Sequence, residues 1–324
     1  MKIIQAISQF EYVPKGCVLT IGNFDGVHLG HQAILAAVKQ TAVEKAKQLV
    51  VMTFEPHPLI VLRPQKAPGI LTPLALKKYF LAEFGVDCLL VLKSTAELLA
   101  LSAEDFVRQF LVERIRPSVV VEGKDFNFGV NRAGGVETLQ RFADNNGFDV
   151  IVVKPKDVKL STGETVRVSS TIIRNMLKDG RVADAAIALG RAYRLIGRIV
   201  AGKGKGKRLG FPTLNLEPLR QLVPAEGVYA GLVEIGDSAE QVCKTDNKLP
   251  AAISIGRAET FGSDNPPAIE THILAEDAGD SSSKWMAMDF VKKIREQRKF
   301  ETEKELSAQI AKDCEKAKGI LIKD

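Results

Sequence analysis

The stretch that most limits what this chain can fold into runs from Val18 to Gln32: Val-Leu-Thr-Ile-Gly-Asn-Phe-Asp-Gly-Val-His-Leu-Gly-His-Gln. An apolar β-branched run ends at Gly22, a Gly-punctuated turn follows, and a helix-forming segment begins near His31 (Ala33, Ile34, Leu35, Ala36, Ala37, Val38). A strand, a tight glycine turn and a helix together aim a helix N-terminus and its backbone N–H groups at an anion, usually a phosphate. His28 and His31 flank Gly30 at the mouth of that turn and can reach one phosphate from the same side. The missing side chain at Gly30 lets the phosphate approach. Two histidines at this spacing also fit half of a zinc site, or ordinary residues at a helix start. They are, however, two of the four histidines in the chain, and both belong to one phosphate-competent turn. That favours function.

At 324 residues the chain exceeds one small core, which suggests two domains. A hydrophobic content of 45% beside 26% charged residues is that of a soluble globular protein. No apolar run approaches membrane-spanning length, and Met1 to Gln5 lacks the long apolar core of a signal peptide. Cys17, Cys88, Cys243 and Cys314 are far apart with no Cys-x-x-Cys, so reduced thiols in the cytoplasm are expected, not a disulfide framework. The net charge of +6 suits an enzyme that handles phosphates and also weak nucleic-acid binding.

After the opening unit, strands and helices alternate. Gln48 to Phe54 reads as a buried parallel-type strand. It runs into Glu55-Pro56-His57-Pro58, which leaves His57 on a loop beyond the strand's C-terminal end, the edge where open α/β sheets bind ligands. Pro73 to Phe84 reads as helix, Asp87 to Leu92 as strand, Ala103 to Glu113 as helix and Ser118 to Glu122 as strand. The loop Gly123-Lys124-Asp125-Phe126-Asn127-Phe128-Gly129 carries two aromatics, either packed or able to stack on a flat ring. Arg132 lies just beyond. Glu137 to Asn146 reads as helix and Phe148 to Val153 as strand. In Arg167-Val168-Ser169-Ser170-Thr171-Ile172-Ile173-Arg174, a hydroxyl caps a helix over Thr171 to Lys178. By itself this is an ordinary N-cap. Arg181 to Gly190 is the last helix of this half.

From Arg194 the texture becomes short β-rich runs between glycines, as in a small antiparallel barrel: Leu195–Val200, Gly227–Glu234, Ala251–Ile255 and Ile269–Leu274. Between the first two lies Gly202-Lys203-Gly204-Lys205-Gly206-Lys207-Arg208-Leu209-Gly210-Phe211-Pro212-Thr213-Leu214-Asn215. Alternating glycine and lysine fits a nucleic-acid arm, a solvated basic loop or a flap that wraps nucleotide phosphates. The spacing is not that of a Walker A loop. Glu301 to Lys318 reads as a charged helix packed on the barrel.

The run from Gly22 to Gln32 contains the His-x-Gly-His signature of nucleotidyltransferases and resembles the adenylyltransferase half of bacterial bifunctional riboflavin kinase/FAD synthetases. Thr53 to Pro58 is similar to that family's Thr-Phe-x-Pro-His-Pro. Gly123 to Gly129 is similar to its Gly-Asp/Asn-Phe-x-Phe-Gly loop, and Val168 to Arg174 to its Ile-Ser-Ser-Thr-x-x-Arg. Gly210 to Asn215 resembles the Gly-Phe-Pro-Thr-x-Asn of riboflavin kinases. Gly227 to Ala230, Ser254 to Gly256 and the Glu270 run follow in the family's order. Two departures stand out. The polar stretch 275–285 replaces an Asp-Phe-x-x-Asp-Leu-Tyr-Gly segment, and Ile294-Arg295-Glu296-Gln297 stands where Leu-Arg-x-Glu is common.

The resemblance implies an α/β, doubly wound, Rossmann-like nucleotidyltransferase domain over residues 1–185, then a six-stranded antiparallel β-barrel kinase domain with a terminal helix over 186–324. It implies two reactions: ATP-dependent phosphorylation of riboflavin to FMN, then adenylylation of FMN to FAD with release of pyrophosphate. In the first domain it implies catalytic roles for His28, His31 and Arg174, and nucleotide contacts for Gly22, Asn23, Phe24, Gly30, Ser169, Ser170 and Thr171. His57, Asp125, Phe126, Phe128 and Arg132 would border the flavin. In the second it implies Glu270 as base, Thr213 and Asn215 as ligands of Mg²⁺ and phosphates, and Gly202, Lys207 and Gly210 on the nucleotide flap. Small-molecule partners are expected, without nucleic acid or membrane, for a cytoplasmic monomer or weak homo-oligomer. Two other classes remain open: a nucleotidyltransferase for another phosphorylated acceptor with a non-catalytic barrel, and a nucleic-acid binder using the Lys-Gly run.

Overall fold

The computed structural model describes the chain apart from residues 203, 245–246, 257–266, 276–283 and 323–324, and the side chain of residue 205. Most of the polar 275–285 stretch therefore lies outside the described residues. The chain divides into two compact units, 1–157 and 158–324.

In the first unit the β-branched runs form a parallel sheet: β1 (Lys2–Ile4), β2 (Val18–Ile21), β3 (Leu49–Glu55), β4 (Cys88–Lys93), β5 (Val119–Gly123) and β6 (Asp149–Val153), in the order β1-β4-β3-β2-β5-β6. Every residue of β2 is buried, as expected of a strand covered on both faces. The helices are α1 (Leu29–Glu44), α2 (Pro58–Leu62), α3 (Leu74–Glu83), α4 (Ala96–Leu99), α5 (Ala103–Phe106) and α6 (Val136–Asn146). From β2 the chain winds outward through β3 and β4, then returns to place β5 and β6 on β2's other side. The junction of β2 and β5 is thus the sheet's switch point, where ligands of open α/β folds bind.

One element departs from the expected pattern. Instead of a single α-helix over Ala103 to Glu113, α5 widens into a π-helical segment over Val107–Ile115. Its buried positions Val107, Phe110, Leu111 and Ile115, with Phe106 of α5, pack into the core of this unit.

In the second unit a two-stranded ribbon, β7 (Asp157–Lys159) with β8 (Thr165–Arg167), leads into α7 (Ser170–Lys178) and α8 (Val182–Leu189). There follow β9 (Tyr193–Val200), α9 (Lys205–Arg208), β10 (Leu214–Leu216), β11 (Gly227–Gly236), β12 (Leu249–Gly256), β13 (Ala268–Ile273), β14 (Trp285–Arg295) and α10 (Glu303–Leu321). The six longer-range strands close a barrel in the order β10-β13-β12-β11-β14-β9. Both helices preceding the barrel pack on it: Ala225 donates its N–H to the carbonyl of Leu177 at 2.9 Å, and α8 lies against β14 and β9. Tyr229 and Phe290 meet edge to face at 5.4 Å in the core. On the outer face Ala230 and Ala252, paired across β11 and β12, are small enough for α10 to seat Cys314 and Ala317 against them.

Candidate active sites

The β2–α1 turn has a strained backbone. Phe24 and Val27 have φ of 47° and 38°, a region that costs a β-branched residue energy unless its surroundings over-determine it. Here they do. The buried Asp25 carboxylate accepts from the backbone N–H groups of Leu71 and Thr72, each at 2.9 Å, and Gly26 donates its N–H to Thr72 Oγ1 at 2.9 Å. Gln32 Nε2 donates to the carbonyl of Val27 at 2.9 Å, and Gly22 donates its N–H to the carbonyl of Met52.

His28 caps α1, its Nδ1 accepting from the N–H of His31 at 3.3 Å. A neutral imidazole that accepts at Nδ1 carries its proton on Nε2. The two rings stack with centroids 3.7 Å apart, and Phe24 lies 5.1 Å from His31. The fold therefore gathers Phe24, His28 and His31 at the helix mouth. Of the first helical N–H groups, those of Leu29 and Gly30 remain as donors for an anion.

Three buried residues of this site were not singled out from the sequence: Asp25, Thr53 and Lys77. Thr53 Oγ1 donates to the carbonyl of Asn23 at 3.2 Å and accepts from Lys77 Nζ at 3.4 Å. Lys77 is 4% exposed and 4.0 Å from Glu55. Burial pushes its pKa below the ordinary lysine value, against the pull of Glu55 and Asp25. The readable signal is a cation on the apolar stripe of α3, beside Leu76, Phe80 and Leu81.

The aromatics after β5 do pack. Phe126 and Phe128 stack at 5.2 Å, and Phe128 lies 5.7 Å from Phe106, both half-buried on the core. Asp125 and Arg132 are exposed. His57 caps α2, its Nδ1 accepting from Leu59 N–H at 3.2 Å.

In the second unit α7 holds the hydroxyl-and-arginine run together. Ser169 caps the helix, its Oγ accepting from Ile172 N–H at 3.3 Å, while Ser170 and Thr171 occupy the first turn. Arg174 is buried, one turn on.

The barrel assembles its candidate residues across strands. Glu270 of β13 is the direct partner of Asn215 on β10 and of Ser254 on β12. Alternation sends Ile269, Thr271 and Ile273 inward and leaves Glu270 exposed. The glycine-rich loop lies directly on this row. A Cβ on Gly202 would stand 2.1 Å from Asn215 Nδ2, and one on Gly206 would stand 2.5 Å from the Phe211 carbonyl and 3.0 Å from Thr213 Oγ1. Those two positions must be glycine for the loop to approach so closely. Lys207 and Gly210 lie exposed on the same loop. His272 Nδ1 donates to the carbonyl of Pro212 at 2.8 Å and meets Phe211 edge-on. Gln297, on the far side, donates through Nε2 to Ser254 Oγ and to the Ile255 carbonyl, both at 2.9 Å. Beside the row, a cleft of about 650 Å³ is lined by Phe211, Thr213, His272, Ala311, Cys314 and Lys318.

Comparison with known proteins agrees with this two-part layout. The FAD synthetase family profile matches residues 11–172, and the riboflavin kinase profile matches residues 189–321. The bifunctional riboflavin kinase/FMN adenylyltransferase of Escherichia coli K12 is 37% identical over 314 residues, 97% of this chain and 96% of that protein. Its Pseudomonas fluorescens counterpart is 34% identical over 320 residues, 99% and 98% of the two chains. A solved Streptococcus pneumoniae structure, described as a macrolide-efflux protein, superposes with a TM-score of 0.83 at 28% identity, over 98% of this chain and 99% of that one. Among the described residues no helix is long and apolar enough to cross a membrane.

Proposed function

The chain belongs to the bifunctional riboflavin kinase/FMN adenylyltransferase family, and from that premise we propose which residues carry each of its two reactions. It phosphorylates riboflavin to FMN with ATP and adenylylates FMN with a second ATP, giving FAD and pyrophosphate. The riboflavin kinase match over 189–321 argues against a purely regulatory barrel.

The kinase reaction starts from a neutral nucleophile. The ribityl 5′-hydroxyl must lose its proton as it attacks the γ-phosphate, and Glu270 accepts that proton. Thr213 and Asn215 offer a hydroxyl and an amide oxygen under the glycine loop, donors suited to Mg²⁺ completed by nucleotide phosphates. Mg²⁺ held there would supply charge neutralisation on the phosphates. Gly202, Lys207 and Gly210 form the flap over the nucleotide. The cleft beside His272 has the size and apolar lining for the flavin ring.

Adenylyl transfer needs no base, because the attacking FMN phosphate is already an anion. His28, His31 and the donors at the mouth of α1 screen anion repulsion and stabilise departing pyrophosphate, with Gly22, Asn23, Phe24 and Gly30 shaping the turn. To Ser169, Ser170, Thr171 and Arg174 we assign the β- and γ-phosphates, which a guanidinium fork pairs bidentately. To His57, Asp125, Phe126, Phe128 and Arg132 we assign the flavin. We place the functional division near residues 185–186. The enzyme works on small molecules as a monomer or weak homo-oligomer, and its four free cysteine thiols fit the reducing cytoplasm.

The observation that carries the kinase assignment is the cross-strand pairing of Glu270 with Asn215 beneath Gly202 and Gly206. Glu270→Gln keeps the shape and removes the basicity, so riboflavin phosphorylation should fall by roughly 10²- to 10⁴-fold. The same preparation given FMN should make FAD at the parent rate. Unchanged phosphorylation would remove Glu270 from the mechanism, and loss of both activities would mark it as a folding residue.

A further inference from the structure

The ladder between β2 and β5 stops early. The strands pair only at Val18 with Val119 and at Leu19 with Val120, although β2 continues to Ile21 and β5 to Gly123. Beyond Leu19 the backbone N–H of Ile21 has no main-chain partner on β5, and a side chain takes that place. Glu122 Oε1 accepts from Ile21 N–H at 2.6 Å and from Thr20 Oγ1 at 3.4 Å. Glu122 is 2% exposed and Thr20 0%. Among the described residues this carboxyl makes no ion pair. Burial pushes its pKa well above the ordinary glutamate value, and its two hydrogen bonds offset only part of that.

The location gives this contact a function. It lies at the switch point of the sheet, one residue before Gly22 on β2 and one residue before Gly123 on β5. Two of the three loops that carry candidate adenylyl-transfer residues in this unit, the β2–α1 turn and the loop after β5, therefore spring from the strand ends that Glu122 joins. A main-chain hydrogen bond at this level would draw the strands together and narrow the crevice between the loops. An apolar side chain would hold them apart and leave the Ile21 N–H buried without an acceptor.

We propose that Glu122 is a positioning residue for adenylyl transfer, a buried hydrogen-bond acceptor that spans the β2–β5 gap and sets the spacing of the two loop roots. This rests on reading the β2–α1 turn as the adenylyl-transfer site.

The test uses the full-length chain, with FMN adenylylation and riboflavin phosphorylation measured on each preparation. Glu122→Val removes the acceptor, and kcat/KM for adenylylation should fall by roughly ten- to a hundredfold, chiefly through KM for ATP. Riboflavin phosphorylation should be unaffected. Glu122→Gln keeps a neutral acceptor of the same length and should restore adenylylation to within about threefold of the parent. A Gln variant that folds yet is as impaired as Val would show that an acceptor at this position does not set the spacing, and would overturn the proposal. So would a Val variant with the parent's KM and kcat. If Val does not fold, the Gln variant alone decides between these outcomes. His31→Ala, run in parallel, separates the two readings: FAD synthesis at the parent rate there overturns the site itself, whereas its loss beside an unimpaired Glu122→Val overturns only the role of Glu122.

Discussion

As we propose their sites, the parallel sheet and the barrel would meet phosphate in opposite ways. The sheet's β2–α1 turn offers main chain: a turn forced into positive φ, a helix mouth, and a histidine that serves as cap and ring at once. The barrel unit uses side chains projected from separate strands, Asn215 and Glu270, with a glycine loop lying directly on them. The nucleophile explains the contrast. An FMN phosphate arrives charged and needs screening, which fixed N–H dipoles and imidazoles supply without reorganisation. A ribityl hydroxyl arrives neutral and needs a proton acceptor, which only a side chain can be. The supporting shells differ accordingly. Beneath the sheet unit's turn lie buried ionisable groups, Asp25 and Lys77, whereas Glu270 stands exposed on the barrel's outer face.

The contrast can be broken most decisively at His31. His31→Ala should lower FAD formation from FMN by roughly 10²-fold or more, the cost of one phosphate contact made in the transition state. FMN should still accumulate from riboflavin. Together with Glu270→Gln this makes a double dissociation when each variant is given riboflavin in one assay and FMN in another, with the products separated by chromatography. Each variant losing both activities would mean that the two sites do not work independently.

The next effect belongs to the barrel. Gly202→Ala places a methyl group where the Asn215 amide now lies, so the amide must move while the strands keep their register. A displacement of about 1 Å at a positioning group can cost up to roughly 10²-fold, so riboflavin phosphorylation should fall by about ten- to a hundredfold with FAD synthesis from FMN intact. Equal kinase activity in this variant would mean that Asn215 is not a ligand of metal or phosphate.

A smaller effect is expected at Lys77. Lys77→Met keeps the buried stem and removes the donor to Thr53, which in turn holds the Asn23 carbonyl. Adenylylation should fall by about tenfold, the worth of one buried hydrogen bond to a charged group. An unchanged kcat/KM would reduce Lys77 to packing.

The smallest effect concerns the boundary and is read by melting temperature. A fragment beginning at residue 186 should phosphorylate riboflavin and make no FAD. Extending it back to residue 158 restores α7 and α8, with buried Val182, Ala185 and Leu177 against the barrel, and should raise the melting temperature by about 5 °C or more. No difference would show that these helices contribute nothing to barrel stability.

What could be read along the chain was what depends on near neighbours. The strand–turn–helix at Val18 to Val38 and the hydroxyl cap before α7 are local patterns, and each occurs where expected. The short edge strand β1 was missed because three residues carry too little periodicity. The π-helical widening after α5 was missed because both helix types share a similar apolar pattern over one or two turns. Tertiary structure alone decided the rest. That Asn215 faces Glu270 is a matter of barrel register between distant segments, and a slip of one residue would turn either side chain to the other face. That Asp25, Thr53 and Lys77 converge under the turn depends on three separate elements packing at one sheet edge. The bridging role of Glu122 exists only because β2 and β5 part after two paired positions. Hydrophobic periodicity records which face of an element is buried, but it holds no information about which distant residue will be buried against it.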